Sequence, residues 1–276
     1  MWVLLSVHGC VTDYILVSVF IVYRFTNECR IIWTILPDQK TCRLAGCGGG
    51  LVSGRLLKNE RLGFMKTILL NGSPRKNWNT AMMLKEAQKG AESVGAETEY
   101  IDLFDLSYTG CRSCLACKRK GAERCKCFWK DDLSPVIDRI FAVDALIIGS
   151  PIYLGDVTSQ VHGLIERLHF CALSYDDYSN YFTGKVNVGI ILTMNAPKAF
   201  YSAAYGGKAK EIEQSFKGLN GSVETYACCD TLQVKDYRRY NMAGFDENHK
   251  KEMREKQFPN DLKEAFRMGA RLSEKK

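Results

Sequence analysis

The feature that most constrains this chain is an alternation that begins at Met65. A short apolar run, "KTILLN" (66–71), is followed by apolar positions at helical spacing over 80–94. An alternating run at 97–103 and a helix around 131–142 come next, and then "ALIIGS" (145–150), whose unbroken apolar character suits a strand buried on both faces. A helix over 158–170, a strand at 186–193, a helix at 201–217, a strand at 222–228 and a charged helix from about 246 to 272 complete the series. Strands alternating with helices at these lengths predict a parallel sheet with right-handed crossovers and helices on both faces. The expected fold class is therefore α/β, a doubly wound five-stranded parallel sheet. Ligands of such a fold sit at the carboxyl ends of the strands, near the switch point.

Residues 1–64 do not share this pattern. "YILVSVFIVY" (14–23) is almost wholly apolar, and back to Trp2 the stretch is long enough to span a bilayer, although His8 and Asp13 interrupt it. A glycine-rich run, "CRLAGCGGGLVSGR" (42–55), follows. Three readings compete: a membrane anchor, an uncleaved signal-like segment, and translation that starts at Met65. The third is the expectation, because "MKTILLNGSPR" opens as the first strand of an α/β domain commonly does. The expected organisation is an unrelated N-terminal extension over 1–64 and a folded domain over 65–276, with membrane attachment only if the extension belongs to the protein.

The net charge of +7 is mild, and neither part carries the dense basic surface that nucleic-acid binding calls for. Of the twelve cysteines, five lie between 111 and 127, too local to staple a domain of this size. Without a convincing secretory signal they read as reduced thiols or cluster ligands in a cytoplasmic protein.

Directly after the first strand comes "NGSPRKNWNT" (71–80). Gly72 permits a sharp turn. Ser73, Asn79 and Thr80 can donate from their side chains, Arg75 adds a charge-assisted donor, and the start of the next helix presents unpaired N–H groups. Together they predict an anion site, most simply for a phosphate. No GK[ST] follows and no G-x-G-x-x-G is present, so neither a P-loop nor a dinucleotide clamp is indicated.

Strand–"GSPR"–x3–"NT"–helix resembles the phosphate loop of flavodoxin-like NAD(P)H-dependent FMN reductases. Two further stretches are similar to that family: "GSPIYLGDVTSQVHGLIER" (149–167), and "CCDTLQVKDYRRY" with "KQFPNDLKEAFRMGARL" near the C-terminus. The resemblance covers 65–276 and none of 1–64. It implies a flavodoxin-like fold, FMN as cofactor, and NAD(P)H as hydride donor. It also implies a homo-oligomer in which a neighbour walls the flavin, and a small-molecule or protein electron acceptor. The cofactor-binding residues it implies are Ser73, Arg75, Asn79 and Thr80, with Pro151, Ile152, Tyr153, Leu154 and Gly155, where a flat ring can rest on backbone and aromatic side chain. "LTMNAP" (192–197) would form a third side. No catalytic side chain is expected, since hydride transfer to a flavin needs stacking and exclusion of water more than an acid–base group. His162 and His169 read as surface or packing residues.

In "CRSCLACKRKGAERCKC", Cys111-x2-Cys114-x2-Cys117-x7-Cys125 has the compact spacing that gathers thiolates around an iron cluster, and Cys127 is a second choice for the fourth ligand. This resembles iron–sulfur flavoproteins on the same scaffold, and implies a [4Fe–4S] cluster passing electrons between a ferredoxin-like donor and FMN. Zinc, and thiols without any metal, remain open alternatives. Cys171, Cys228 and Cys229 read as buried small apolar residues.

Overall fold

The computed structural model describes residues 64–275 and, before them, the backbone of five short strands. The chain divides into two compact units, Met1–Leu62 and Gly63–Lys276. In the first, Val3–Val7 pairs antiparallel with Val19–Tyr23, and Trp33–Thr34, Thr41–Leu44 and Val52–Arg55 form a three-stranded antiparallel sheet. The rest of that unit, including most of the stretch read as a candidate anchor, lies outside the described residues. No helix among the described residues is long and apolar enough to cross a membrane.

The second unit carries five parallel strands: β1 (Lys66–Asn71), β2 (Glu97–Asp102), β3 (Ala145–Pro151), β4 (Val186–Thr193) and β5 (Asn220–Cys228). Their spatial order is β2-β1-β3-β4-β5, every pair parallel, which is the flavodoxin-like doubly wound order with its switch between β1 and β3. Residues alternate between two cores as the pleat requires. Ile68, Leu70, Leu146 and Ile148 pack on one face, Leu69, Ala145 and Ile147 on the other. That two-sided burial is why β3 reads as a continuous apolar run.

One face is covered by α1 (Asn79–Ser93) and α6 (Phe258–Ser273), the other by α2 (Leu133–Ile140), α3 (Ser159–Ala172) and α4 (Gly206–Ser215). α1 buries Ala81, Met83, Leu84, Ala87 and Ala91 on one stripe. The charged segment expected as one helix over 246–272 is two, α5 (Glu247–Lys256) and α6, meeting at Gln257. Pro259 in the first turn of α6 explains the break. It has no N–H to give, and its ring would clash with the carbonyl four residues back in a continuous helix. α4 also differs from the expected 201–217 helix, for it is entered through a helical turn at Lys198–Phe200 and a π-helical stretch at Tyr201–Tyr205.

Candidate functional site: a polar cleft and a cysteine pocket

The β1–α1 loop is built by close approach. The Gly72 N–H donates to the Gly149 carbonyl at 2.7 Å, and the Thr158 hydroxyl donates to the Gly72 carbonyl at 2.8 Å. A Cβ on Gly72 would collide with the Val161 side chain and stand 2.9 Å from the Gly149 oxygen. Asn71 is fully buried. It donates to the Asp102 carboxylate at 2.7 Å and accepts from the Ser73 N–H at 3.1 Å. The Ser73 oxygen accepts from the Arg75 N–H at 3.1 Å, which leaves the hydroxyl hydrogen free to donate outward.

These elements open a cleft of about 630 Å³ at the carboxyl ends of β1, β3 and β4. Ser73, Arg75, Asn79 and Thr80 line one side, and Pro151, Ile152 and Tyr153 another. Thr193, Met194 and Asn195 supply the third. Within this set the roles diverge. The Asn79 carboxamide is tied at both ends, donating to the Leu232 carbonyl at 2.9 Å and accepting from Arg254 at 2.8 Å. Thr80 shares a 2.7 Å hydrogen bond with the Thr193 hydroxyl. Arg75 gives one N–H to the Gln233 carbonyl at 2.6 Å and keeps the rest of its guanidinium for another acceptor. The first N–H groups of α1 have no intrahelical partner and point toward the same loop.

The Pro151–Gly155 turn is tight. Ile152 donates to the Thr193 carbonyl, and Tyr153 and Asp156 exchange hydrogen bonds at 2.8 and 3.1 Å. Leu154 and Gly155 both have positive φ, 51° and 87°, a conformation Gly155 adopts without penalty. Since Ile152 and Tyr153 are engaged and Pro151 has no N–H, the N–H groups this turn can offer a ligand are those of Leu154 and Gly155. Neither residue lines the cleft; Leu154 projects fully into solvent, and Tyr153 is half-exposed at the mouth.

Sequence reasoning missed Trp78, Thr231 and Gln233, which complete the lining. Trp78 and Asn79 both donate to Leu232, and Gln233 accepts from Asn195 at 2.6 Å. Thr231 and Gln233 lie about 150 positions from the loop they meet, and no local pattern marks them. His162 pairs with Asp156 at 3.0 Å, and His169 bonds the Ser215 carbonyl, so both serve the surface and packing.

The second feature is the loop over 106–132, whose only regular element is one turn at Ala116–Lys118. All eight described cysteines are free. Cys111, Cys114, Cys117 and Cys127 line a common small pocket between this loop and α3, with Cys171 on its wall; Cys125 does not line it. Among the described residues, no group of three or more such side chains is gathered closely enough to hold a single metal ion, so the arrangement does not fit mononuclear zinc. Burial pushes the Cys117, Cys125 and Cys171 thiols upward. Cys228 is buried and bonded to Asp261, while Cys229 is half-buried, its thiol raised to about 11 by burial.

Two cations hold the loop, Arg167 buried and Lys118 half-buried. Arg167 of α3, 2% exposed, donates to Asp131 at 2.5 Å, to the Ser134 hydroxyl at 2.6 Å, to Cys127 Sγ at 3.2 Å and to the Thr109 carbonyl at 3.3 Å. Burial, the largest influence on Arg167, favours its neutral form, but Asp131 and Cys127 outweigh it and hold the guanidinium above its ordinary value. Lys118 bonds the Phe170 and Leu173 carbonyls at the end of α3 and faces the rings of Phe170 and Tyr175 at 4.6 and 5.0 Å.

A flavodoxin-like sheet whose polar cleft lies beyond the switch point defines the class of protein. Residues 65–205 match the NADPH-dependent FMN reductase family, and the chain belongs to it. It is 37% identical over 103 residues to iron–sulfur flavoproteins of Methanocaldococcus jannaschii and Archaeoglobus fulgidus. Those matches cover 37% of this chain and 51% and 48% of the relatives, so the chain spans about half the length of the curated relatives it matches. In structure it is similar to an NAD(P)H:quinone oxidoreductase from Methanothermobacter marburgensis, with a TM-score of 0.57, 14% identity and coverage of 76% of this chain and 98% of that one. An azoreductase from Bacillus anthracis gives 0.52 at 12% identity, covering 75% and 100%; at such identities these likenesses speak for the fold alone.

Proposed function

We propose that residues 65–276 form an FMN-dependent oxidoreductase domain that takes hydride from NAD(P)H and passes electrons to a small-molecule or protein acceptor, with 1–64 an extension outside it. The observation that carries this reading is the cleft at the ends of β1, β3 and β4, where Ser73, Arg75 and the free end of α1 converge on one anion-sized cradle. Those groups would hold the FMN phosphate. Its ring system would lie along Pro151–Tyr153 against Thr193–Asn195, near the N–H groups of Leu154 and Gly155. Bound FMN supplies the exchange between two-electron and one-electron chemistry.

The chain's own work is binding, orientation and exclusion of water. Asn79, Trp78 and Arg254 clamp the 230s segment over the loop. Tyr153 offers a face at the mouth. Exposed Tyr153, Leu154 and Phe200 leave the rim apolar, which supports a second copy of the chain as its cover and a cytoplasmic homo-oligomer as the working form.

A second reading is favoured by one specific observation, the cavity shared by Cys111, Cys114, Cys117 and Cys127. An all-thiol donor set spread around a cavity suits a [4Fe–4S] cluster better than a single ion. On that reading the protein is an iron–sulfur flavoprotein that accepts electrons from a ferredoxin-like donor, as the names of its relatives suggest. Anaerobic purification of the full chain, with FMN and iron quantified and NAD(P)H oxidation assayed, tests both. FMN without iron and with NAD(P)H turnover supports the first; FMN with iron and no nicotinamide turnover supports the second. A chain that binds no FMN even when it is added sinks both.

A further inference from the structure

A guanidinium has five N–H donors, and in Arg167 four are engaged. The two on Nη1 go to Asp131 and Thr109, and the two on Nη2 to Cys127 and Ser134. The fifth, on Nε, is buried without a partner, although the residue lines the cysteine cavity. A buried donor left without a partner is unfavourable, and a bound ligand is one way to satisfy it. The cavity beside it is lined by four loop thiols of which only Cys127 is held by the guanidinium, while Cys125 lies outside. The loop over 106–132 is itself basic, with seven Lys and Arg against Glu123, Asp131 and Asp132.

We propose that Arg167 is a positioning residue that selects Cys127, rather than Cys125, as the fourth sulfur of the pocket, and that its remaining Nε–H is reserved for the anionic iron–sulfur cluster those thiolates would bind. This rests on the second reading above. It has a physical logic that spacing alone does not carry. Cys117-x7-Cys125 suits a compact cluster motif, but Cys125 sits at φ 57° away from the cavity, whereas Cys127 is fixed at 3.2 Å from a cation anchored in α3. Asp131 pairs with the guanidinium and holds its plane, so protein contacts fix the direction of its N–H groups. A hydrogen bond from a cation to cluster sulfur stabilises the more negative, reduced state, and raises the reduction potential.

The test uses the full chain, reconstituted anaerobically with ferrous iron and sulfide, with FMN content as the check that each variant folds. Cys125→Ser should keep the iron and acid-labile sulfide of the unmodified chain, and Cys127→Ser should lose most of both while still binding FMN. Arg167→Gln should give up its iron to a chelator about 10–100-fold more readily, and its cluster should have a more negative midpoint potential by EPR titration. Arg167→Lys, which restores charge but not the planar fork, should fall between and serves if the Gln variant does not fold. Iron loss that follows Cys125 and spares Cys127, or a midpoint potential unmoved in both Arg167 variants, overturns the inference alone. An unmodified chain that binds FMN but takes up no iron overturns the cluster reading and the inference with it.

Discussion

The cleft beyond β1 and the pocket beneath the cysteine loop belong to one folded unit, yet they are held in different ways. The cleft loop is fixed by backbone groups and small side chains. Gly72 touches Gly149, Thr158 bonds Gly72, and Asn71, itself bonded to Asp102, organises the turn. The cysteine loop has almost no regular structure, and places Ser113, Leu115 and Cys125 at positive φ. What holds it is charge: Arg167 of α3 binds it near both ends, at Thr109 and Asp131, and Lys118 from its middle bonds the carbonyls at the end of α3. A loop made by backbone fit keeps its shape whatever it binds. A loop held by one buried arginine and by its own Lys118 depends on a few side chains, and carries its strain where a ligand has most to offer.

The largest expected effect breaks the second region and leaves the first. Arg167→Met removes the only cation bonded to Asp131 among the described residues; the Asp131 side chain is 11% exposed and also caps α2 through the Leu133 and Ser134 N–H groups. It should cost about 3–5 kcal/mol in urea unfolding, while the folded fraction binds FMN as before. Loss of FMN in that folded fraction would mean that the two regions are not independent.

Gly72→Ala attacks the first region in turn. The new methyl meets Val161 and the Gly149 carbonyl, so about 1–3 kcal/mol of stability should go, together with most of the FMN affinity, read by fluorescence titration. Unchanged affinity would show that the turn has slack that the packing does not suggest.

Thr80→Val sharpens the comparison further. It leaves the buried Thr193 hydroxyl without its partner and should cost about 1–2 kcal/mol, with a modest fall in FMN affinity; an effect on FMN larger than that on stability would assign Thr80 a direct ligand role.

The smallest effect concerns Asp230, which steadies the third wall. Burial is the largest influence on it and opposes ionisation, but Lys250 and His249 outweigh burial and hold its carboxyl below the ordinary 3.8. With a depressed folded value, its stabilising contribution is complete above 3.8 and is lost as pH falls through that lower value. Asp230→Asn, an exchange its φ of 59° tolerates, should flatten the acid limb of the denaturation midpoint below about pH 4 and leave the rest of the profile parallel. An unchanged acid limb would mean that the ion group is not maintained in solution.

Legibility in the sequence followed the range of the interactions. The five strands, their parallel pairing and the loop at 72–80 were readable because apolar period and turn chemistry are local. The break at Gln257 was readable too, from Pro259, but the charge pattern around it spoke for a single helix. At the site, Ser73, Arg75 and Thr80 could be named from neighbours in the chain, whereas Gln233 and Thr231 meet them only through a fold that spans about 150 residues. The charge of 65–276 as a whole is mild, although the cysteine loop within it is basic.

What the sequence determined by itself is the doubly wound sheet and the glycine- and hydroxyl-bearing turn after its first strand, because alternation, glycine and hydroxyl placement act over a few residues. The tertiary structure decided which cysteine turns into the pocket and which points away. Spacing along the chain favours Cys125, but the choice depends on where a buried arginine from a helix forty positions later can reach, and that distance exists only once α3 is packed against the loop.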